Sequence, residues 1–220
     1  MTSEGRFEQA RVLYERAILD GEADALGQAR VLLDGVEADL ALARGRLLHG
    51  EFLRARTRDP AQASENPDEL RSFERAVQLY QVLSDLRGEA EALFWVGCCH
   101  QVVRRDNEAA VPVLENALAL ARRAGDHAVA AEALRHLGIA ELAAGRPDQA
   151  RARLEESTAL RRHLGLDGSV AANLVGLAYV ALSHDDRAEA RRCLDEAETL
   201  ATSAGAQAIL DQVTEARAQL

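Results

Sequence analysis

Small and apolar residues recur every 40 residues along the second half of the chain, separated by polar and charged positions. Within each copy, successive small and leucine positions are separated by four, three and three residues, which places them on one face of an α-helix. Each copy closes with a glycine, the residue that suits the left-handed position just past a helix end. The repeated positions are Ala110, Ala150 and Ala190; Leu114, Leu154 and Leu194; Glu115, Glu155 and Asp195; Ala117, Ser157 and Ala197; Leu120, Leu160 and Leu200; and Gly125, Gly165 and Gly205.

A second helical segment precedes each of these copies, and a glycine lies inside it. The three glycines are Gly97, Gly138 and Gly176, each preceded by Val or Leu. Glycine inside a helix costs about 1 kcal/mol relative to alanine. Its recurrence predicts that neighbouring helices approach closely at these points, where a Cβ atom would clash. Each unit is therefore predicted to be a helix A, a turn and a helix B.

The N-terminal half follows the same plan less regularly. A long helix is predicted from Ala25 to about Arg58, with Gly45 at the repeat-glycine position. A loop over residues 59–67 follows, and then a helix B from Asp68 to about Ser84. The predicted organisation is one domain over residues 1–220. Its parts are a half repeat (1–21), a long first repeat (22–87), three repeats (88–126, 127–167 and 168–205) and a capping helix (206–220).

The turns between the predicted helices carry suitable residues. Pro147 falls in the first turn of a helix B, where its missing N–H costs nothing. Asp106 and Asp186 occupy matching turns and are expected to cap the helices that follow. Pro112 lies several residues into its helix B, so that helix is expected to start late or to kink.

These residues resemble the tetratricopeptide repeat. That family has Gly-x-x-Tyr in helix A, which Gly176 and Tyr179 match, and small residues seven apart in helix B, as in Ala150 and Ser157. The period of 40 departs from the family's usual length of about 34, and a HEAT-like solenoid remains an alternative on period alone. The resemblance implies an all-α, right-handed superhelical solenoid of antiparallel helix pairs.

The resemblance also implies a concave groove lined mainly by helix A. Carried over relative to each repeat glycine, the family's groove positions give candidate binding residues, with Asp39, Arg46 and His49 as less secure additions. We expect Trp95, the only tryptophan, to be the recognition anchor, with Arg135 and Asn173 as polar readers; the alternative is that Trp95 packs between repeats. The candidate binding residues are Glu91, Phe94, Trp95, Cys98, Gln101, Glu132, Arg135, His136, Ile139, Asn173, Leu174 and Leu177.

Composition limits the function classes. The 220-residue chain has a formal net charge of -10, which disfavours nucleic-acid and anionic membrane partners. All 26 cationic side chains are arginine, which excludes Schiff-base and phosphate-loop lysines. Three cysteines form no disulfide framework, so a cytoplasmic location is expected. No spacing suggests a cofactor or a metal, and the Arg- and Ala-rich style suggests a bacterial coding sequence.

The predicted function is a non-catalytic scaffold or adaptor that binds a peptide or protein partner in the groove. An alternative is a detached sensor module for a peptide or small-molecule effector, and self-association into a homodimer is also open. An enzyme is less favoured, with Cys98, His136 and Glu132 as weak catalytic candidates. The simpler interpretation of Glu132 and His136 is that they form a hydrogen-bonded pair on one helix face. The arginine pairs near helix ends are mostly expected to be exposed to solvent.

Overall fold

The computed structural model describes residues 3–61 and 63–220. Met1 and Thr2 of the predicted half repeat and Gln62 of the predicted loop lie outside the described residues. In the described part of the chain, the regular elements are helices and no strand occurs, which confirms the all-α prediction. The helices are α1 (Ser3–Leu19), α2 (Ala25–Arg58), α3 (Pro67–Val82), α4 (Leu86–Cys98), a π-helical turn (Cys99–Val103), α5 (Asn107–Ala124), α6 (His127–Ala143), α7 (Pro147–His163), α8 (Asp167–Ser183), α9 (Arg187–Ser203) and α10 (Gln207–Arg217).

The helices begin at a regular interval in the second half of the chain. Helices α5, α7 and α9 begin at residues 107, 147 and 187, and α6, α8 and α10 begin at 127, 167 and 207, so each set repeats after 40 residues. The predicted helix-closing residues Gly125, Gly165 and Gly205 have φ values of 66°, 69° and 65°. The pairing of a helix A with a helix B is therefore confirmed.

The chain divides into two compact units, residues 1–110 (unit 1) and residues 111–220 (unit 2), with the boundary inside α5. In unit 1, consecutive helices from α1 to α4 pack against each other. Gly45 of α2 makes the close approach predicted for it, because a Cβ there would lie 2.6 Å from Cδ1 of the buried Phe73 on α3. The prediction of one continuous domain and its repeat boundaries stays a prediction.

In unit 2, α6 packs on α7, α7 on α8, α8 on α9 and α9 on α10. Leu154 of α7 lies under two repeat glycines, because a Cβ on Gly138 would approach its Cγ to 2.9 Å and one on Gly176 its Cδ1 to 3.2 Å. Leu154 is itself buried. One leucine therefore joins helix B to the helix A on either side of it, which is the packing that the glycine pattern predicts.

The boundaries differ from the prediction at two places in unit 1. Helix α3 begins at Pro67, which the prediction had assigned to the loop, and ends at Val82. The end comes early because Ser84 adopts a left-handed φ of 55° and the chain turns there. The π-helical turn after Cys98 was not predicted.

The late start expected for the helix that contains Pro112 is wrong. Helix α5 begins at Asn107 and continues through Pro112. Asp106 supports this start, since its Oδ1 accepts a hydrogen bond from the backbone N–H of Ala109 at 2.9 Å. Asp186 caps α9 in the same way through Glu189, as predicted. Across residues 3–61 and 63–220, no helix combines the length and the apolar character needed to cross a membrane.

Candidate functional site

The polar centre of unit 2 is Arg135, on the helix A face of α6. Its side chain is half-buried. Its Nη1 donates to the backbone oxygen of Ala172 at 2.7 Å and to Oδ1 of Asn173 at 3.1 Å. These two acceptors on α8 fix the direction of the guanidinium.

Asn173 holds this arrangement from the inside. Its Nδ2 donates to Oγ of Ser157 at 2.8 Å and to Oγ1 of Thr158 at 3.2 Å, while its Oδ1 accepts from Arg135. The residue is 0% exposed. The expectation that Asn173 reads a partner directly is therefore wrong: the neighbouring helix α7 covers it, and it positions Arg135 instead.

Arg161 belongs to the same polar group, and sequence reasoning missed it. It lies in one of the arginine pairs that were mostly expected to be solvated, yet it is only 2% exposed. Its Nη1 donates to the backbone oxygen of Ser169 at 2.7 Å and to Oδ1 of Asn173 at 3.1 Å, and its Nη2 contacts Oε2 of Glu132 at 2.8 Å. Its Nε, also buried, has no hydrogen-bond partner among the described residues. Only its place near a helix end, next to a second arginine, is visible in the sequence.

The electrostatics of this group follow from its burial. Removal from water and, to a lesser extent, repulsion from the cation of Arg161 lower the pKa of Arg135 to about 10, against the opposing effect of Glu132. Burial also lowers the pKa of Arg161, against the opposing effect of Glu132. Both arginines stay charged at neutral pH, so two guanidinium cations lie beside one carboxylate, that of Glu132.

A surface depression of about 680 Å³ lies over this group. Helix α6 provides Glu132 and Arg135, and the ends of the turns before α8 and α10 provide Leu166 and Ala206. Among the residues that line it, Glu132 and Asp167 are acidic and Arg135 and Arg161 are basic. The depression therefore offers donors and acceptors side by side, a chemistry suited to binding a polar chain and without a thiol or hydroxyl nucleophile next to a histidine base.

Unit 1 contains a second cluster around Trp95 on α4. The indole stacks on Phe73, with ring centroids 5.7 Å apart at 13°, and meets the edges of His49 and Phe94. The guanidinium carbon of Arg46 lies 5.5 Å from the indole centroid. Trp95 is half-buried, so it packs against Phe73 and His49 and also keeps part of its surface exposed.

Beneath Trp95 lies a buried acid–base pair. Nδ1 of His49 is 2.7 Å from Oε1 of Glu69, and both side chains are buried. Burial and the neighbouring Glu69 carboxylate raise the pKa of Cys99 to about 12. The thiol of Cys99 is therefore protonated at neutral pH and is not an activated nucleophile.

The remaining predicted site residues fall into two groups, those that are buried in the core and those that keep exposed surface. Four of them are core residues, so their expected contact with a partner is wrong, because a buried side chain offers a partner almost no surface. They are Phe94, Cys98, Leu174 and Leu177. Cys98 is thereby removed as an accessible catalytic thiol. The predicted residues that retain exposed surface are Glu91, Gln101, Glu132, His136 and Ile139.

Comparison with known proteins assigns the repeat. The model of the tetratricopeptide repeat matches residues 99–163, from the π-helical turn through α7. This segment is a tetratricopeptide repeat. The resemblance predicted from the residues is thus confirmed there, and the HEAT-like alternative is set aside for this segment.

Two other comparisons add less. A solved crystal structure of BtubC (BKLC) from P. vanneervenii resembles the chain with a TM-score of 0.46 and 18% identity, covering 93% of each chain. A search of curated proteins finds no match.

Proposed function

We propose that the chain is a non-catalytic scaffold that binds a peptide or protein partner, and that Arg135 contacts the partner in unit 2. The tetratricopeptide repeat over residues 99–163 supports a protein-interaction role. The observation that carries the proposal is the fixed guanidinium of Arg135, held by Ala172 and Asn173 at the edge of the depression. A side chain that is already ordered loses little conformational entropy on binding.

The chemistry of the partner follows from the neighbours of Arg135. Glu132 lies three residues earlier on the same helix, and its side chain remains 39% exposed. Arg135 offers N–H donors and Glu132 offers acceptor oxygens, and a peptide backbone presents both complementary groups in each residue. An extended peptide segment is therefore the occupant that suits this pair.

The exposed part of Trp95 is a candidate contact in unit 1. Arg46 lies against the indole and also pairs with Glu91 at 3.2 Å. An aromatic edge beside a charged pair is a common composition for a protein-contact residue. Because Trp95 also packs on Phe73, its removal is expected to lower stability as well as affinity.

The experiment is a selection of peptides from a random library on the immobilised chain, followed by binding to two variants. Arg135→Gln removes the fixed guanidinium. Arg122→Gln is the matched control in the same unit, since it removes an exposed arginine that pairs with Glu156 at 2.5 Å. We expect selected peptides to bind Arg135→Gln at least about tenfold more weakly, the cost of a charge-assisted hydrogen bond. Equal binding to both variants would remove Arg135 from the proposed site.

A small-molecule effector is the second candidate, because a volume of about 680 Å³ falls within the range of ligand pockets. A metabolite screen by thermal shift separates the two proposals. A compound that raises Tm in the wild type and not in Arg135→Gln would support the effector, whereas no response alongside a bound peptide would reject it.

The burial of Cys98 does not favour catalysis by Cys98 and His136, because a substrate has little access to the thiol. Cys98, Cys99 and Cys193 are buried and form no disulfide. A reducing, cytoplasmic compartment and a bacterial origin remain predictions.

A further inference from the structure

A row of exposed leucines runs along α2. These residues are spaced by seven, lie on one face of the helix and are between 44% and 65% exposed. With a rise of 1.5 Å per residue, the row is about 30 Å long. The members of this leucine row are Leu26, Leu33, Leu40 and Leu47.

Each of these leucines is followed, four residues later in the sequence, by a charged residue. Four residues correspond to about 40° around the helix axis, so the charged residues form a second row beside the leucines. Its signs alternate from one heptad to the next, and all four side chains are exposed. Glu37 also pairs with Arg75 of α3 at 2.8 Å. The members of this charge row are Arg30, Glu37, Arg44 and Glu51.

Two further features extend this surface within unit 1. Helix α1 packs on α2 and exposes Phe7, Tyr14 and Ile18, which lie on one face of their helix at spacings of seven and four. A groove of about 470 Å³ between α2 and α3 includes Leu40 and Leu47 in its lining. Several large apolar side chains exposed on neighbouring helices and bordered by charges are typical of a protein interface.

We propose that this surface binds a second copy of the chain, with the two α2 helices antiparallel and a two-fold axis next to Leu40. In this register Leu40 meets its own copy, and Leu33 lies level with Leu47 of the other chain. The charge row then pairs opposite signs: Arg30 lies within one residue of the level of Glu51, and Glu37 within one residue of the level of Arg44, about 1.5 Å in each case. The three leucines Leu33, Leu40 and Leu47 and the charge row are thus centred within about half a residue of each other, and Leu26 lies beyond the leucines that pair.

The charge pattern favours a second copy over an unrelated partner. An alternating row read from both ends is its own complement in an antiparallel pair, and an isologous interface needs this self-complementarity. Strips about 10 Å wide along α2 and the exposed face of α1 bury roughly 1,000 Å² in total, the lower bound for a specific interface. We therefore expect a reversible dimer with Kd in the micromolar range. Self-association through unit 1 does not depend on partner binding at Arg135.

Sedimentation of the whole chain from about 1 to about 200 µM tests this association. The wild type is expected to shift from monomer to dimer over this range. Leu40→Glu brings two carboxylates together at the axis, so it is expected to stay monomeric, while Val82→Glu, which changes a 76% exposed valine on α3, is expected to behave as wild type. A wild-type chain that is monomeric throughout would overturn the dimer and leave the leucine row for another protein.

The register has its own tests. A disulfide is expected to form between two Leu40→Cys chains but not between two Leu26→Cys chains, whose residues lie about 40 Å apart in the antiparallel pair. Arg30→Glu is expected to weaken the dimer at least threefold, and adding Glu51→Arg in the same chain to restore it, since opposite charges then face each other again. Equal cross-linking at both positions, or no restoration by the second substitution, would reject this register.

Discussion

The replacement of Gly45 by alanine tests the packing argument through a contact whose size the structure gives. Gly45 lies inside α2, and a Cβ there would stand 2.6 Å from Cδ1 and 2.8 Å from Cζ of Phe73. Cε1 of the same ring would be closer still, and an ordinary carbon–carbon contact needs about 3.5 Å, so the ring would have to move by about 1 Å. Phe73 is fully buried and stacks on Trp95, so a movement of the ring disturbs packed neighbours.

The expected free-energy change combines two effects. Overpacking a buried contact costs about 1–3 kcal/mol, and this site belongs at the upper end because three ring atoms are too close. Alanine gains about 1 kcal/mol over glycine inside a helix. We expect Gly45→Ala to lower the free energy of unfolding by about 2 kcal/mol.

Gly50 provides the matched control in the same helix, since a Cβ there meets nothing within 4 Å. Gly50→Ala is expected to raise the free energy of unfolding by about 1 kcal/mol, the propensity gain alone. Urea unfolding measures both variants, and Trp95 fluorescence reports whether the ring of Phe73 moved. If Gly45→Ala stabilised the chain as Gly50→Ala does, the close-approach explanation of the repeat glycines would be wrong.

Three further predictions concern the interior and the turns. Asn173→Leu removes four hydrogen bonds, three of them buried and two of them from arginines. It is expected to lower the free energy of unfolding, measured in urea, by about 3–5 kcal/mol, and a loss below about 1 kcal/mol would contradict the network. Arg105 and Gly145 both have a left-handed backbone, with φ values of 57° and 73°, which glycine adopts without strain. Arg105→Gly is therefore expected to raise the free energy of unfolding by up to about 1 kcal/mol and Gly145→Ala to lower it by about as much. Two changes of the same sign would refute backbone strain at these positions. Burial raises the pKa of Cys99 to about 12 and that of Cys193 to about 11, so above pH 9 the folded state keeps thiol protons that the unfolded state loses. The free energy of unfolding is therefore expected to fall as the pH rises from 9 towards 11. Labelling of the thiols at pH 8 that is as fast in the native chain as in urea would contradict this.

The helices were predictable because their signals are local. The predicted helix over residues 25–58 matches α2, because the helical pattern is continuous over these residues and the loop residues that follow it mark its end. Gly45 and Gly138 were recognised as close approaches because glycine is unfavourable in a helix unless packing requires it. The π-helical turn after Cys98 escaped because the residues Cys99 to Val103 are ordinary helix formers and only their hydrogen bonds distinguish it.

The site was predictable only in part. Offsets of three and four placed Asn173 and Arg135 on helix A faces, but spacing along one helix does not say how far the next helix extends over a residue. Asn173 is covered by α7 and Arg135 is not, a difference set by packing between helices. Arg161 was expected to be exposed because a charged side chain usually lies in solvent. The acceptors that hold it in the interior belong to α8 and α6, so its own helix gives no sign of them.

Calorimetric titration of a library-selected peptide into the wild type, Arg135→Gln and Arg122→Gln is the most direct test of partner binding. The scaffold account predicts a micromolar Kd for the wild type and for Arg122→Gln, and a Kd at least about tenfold higher for Arg135→Gln, with all three chains equally folded by circular dichroism. An unchanged Kd for Arg135→Gln would contradict recognition at the depression between α6, α8 and α10.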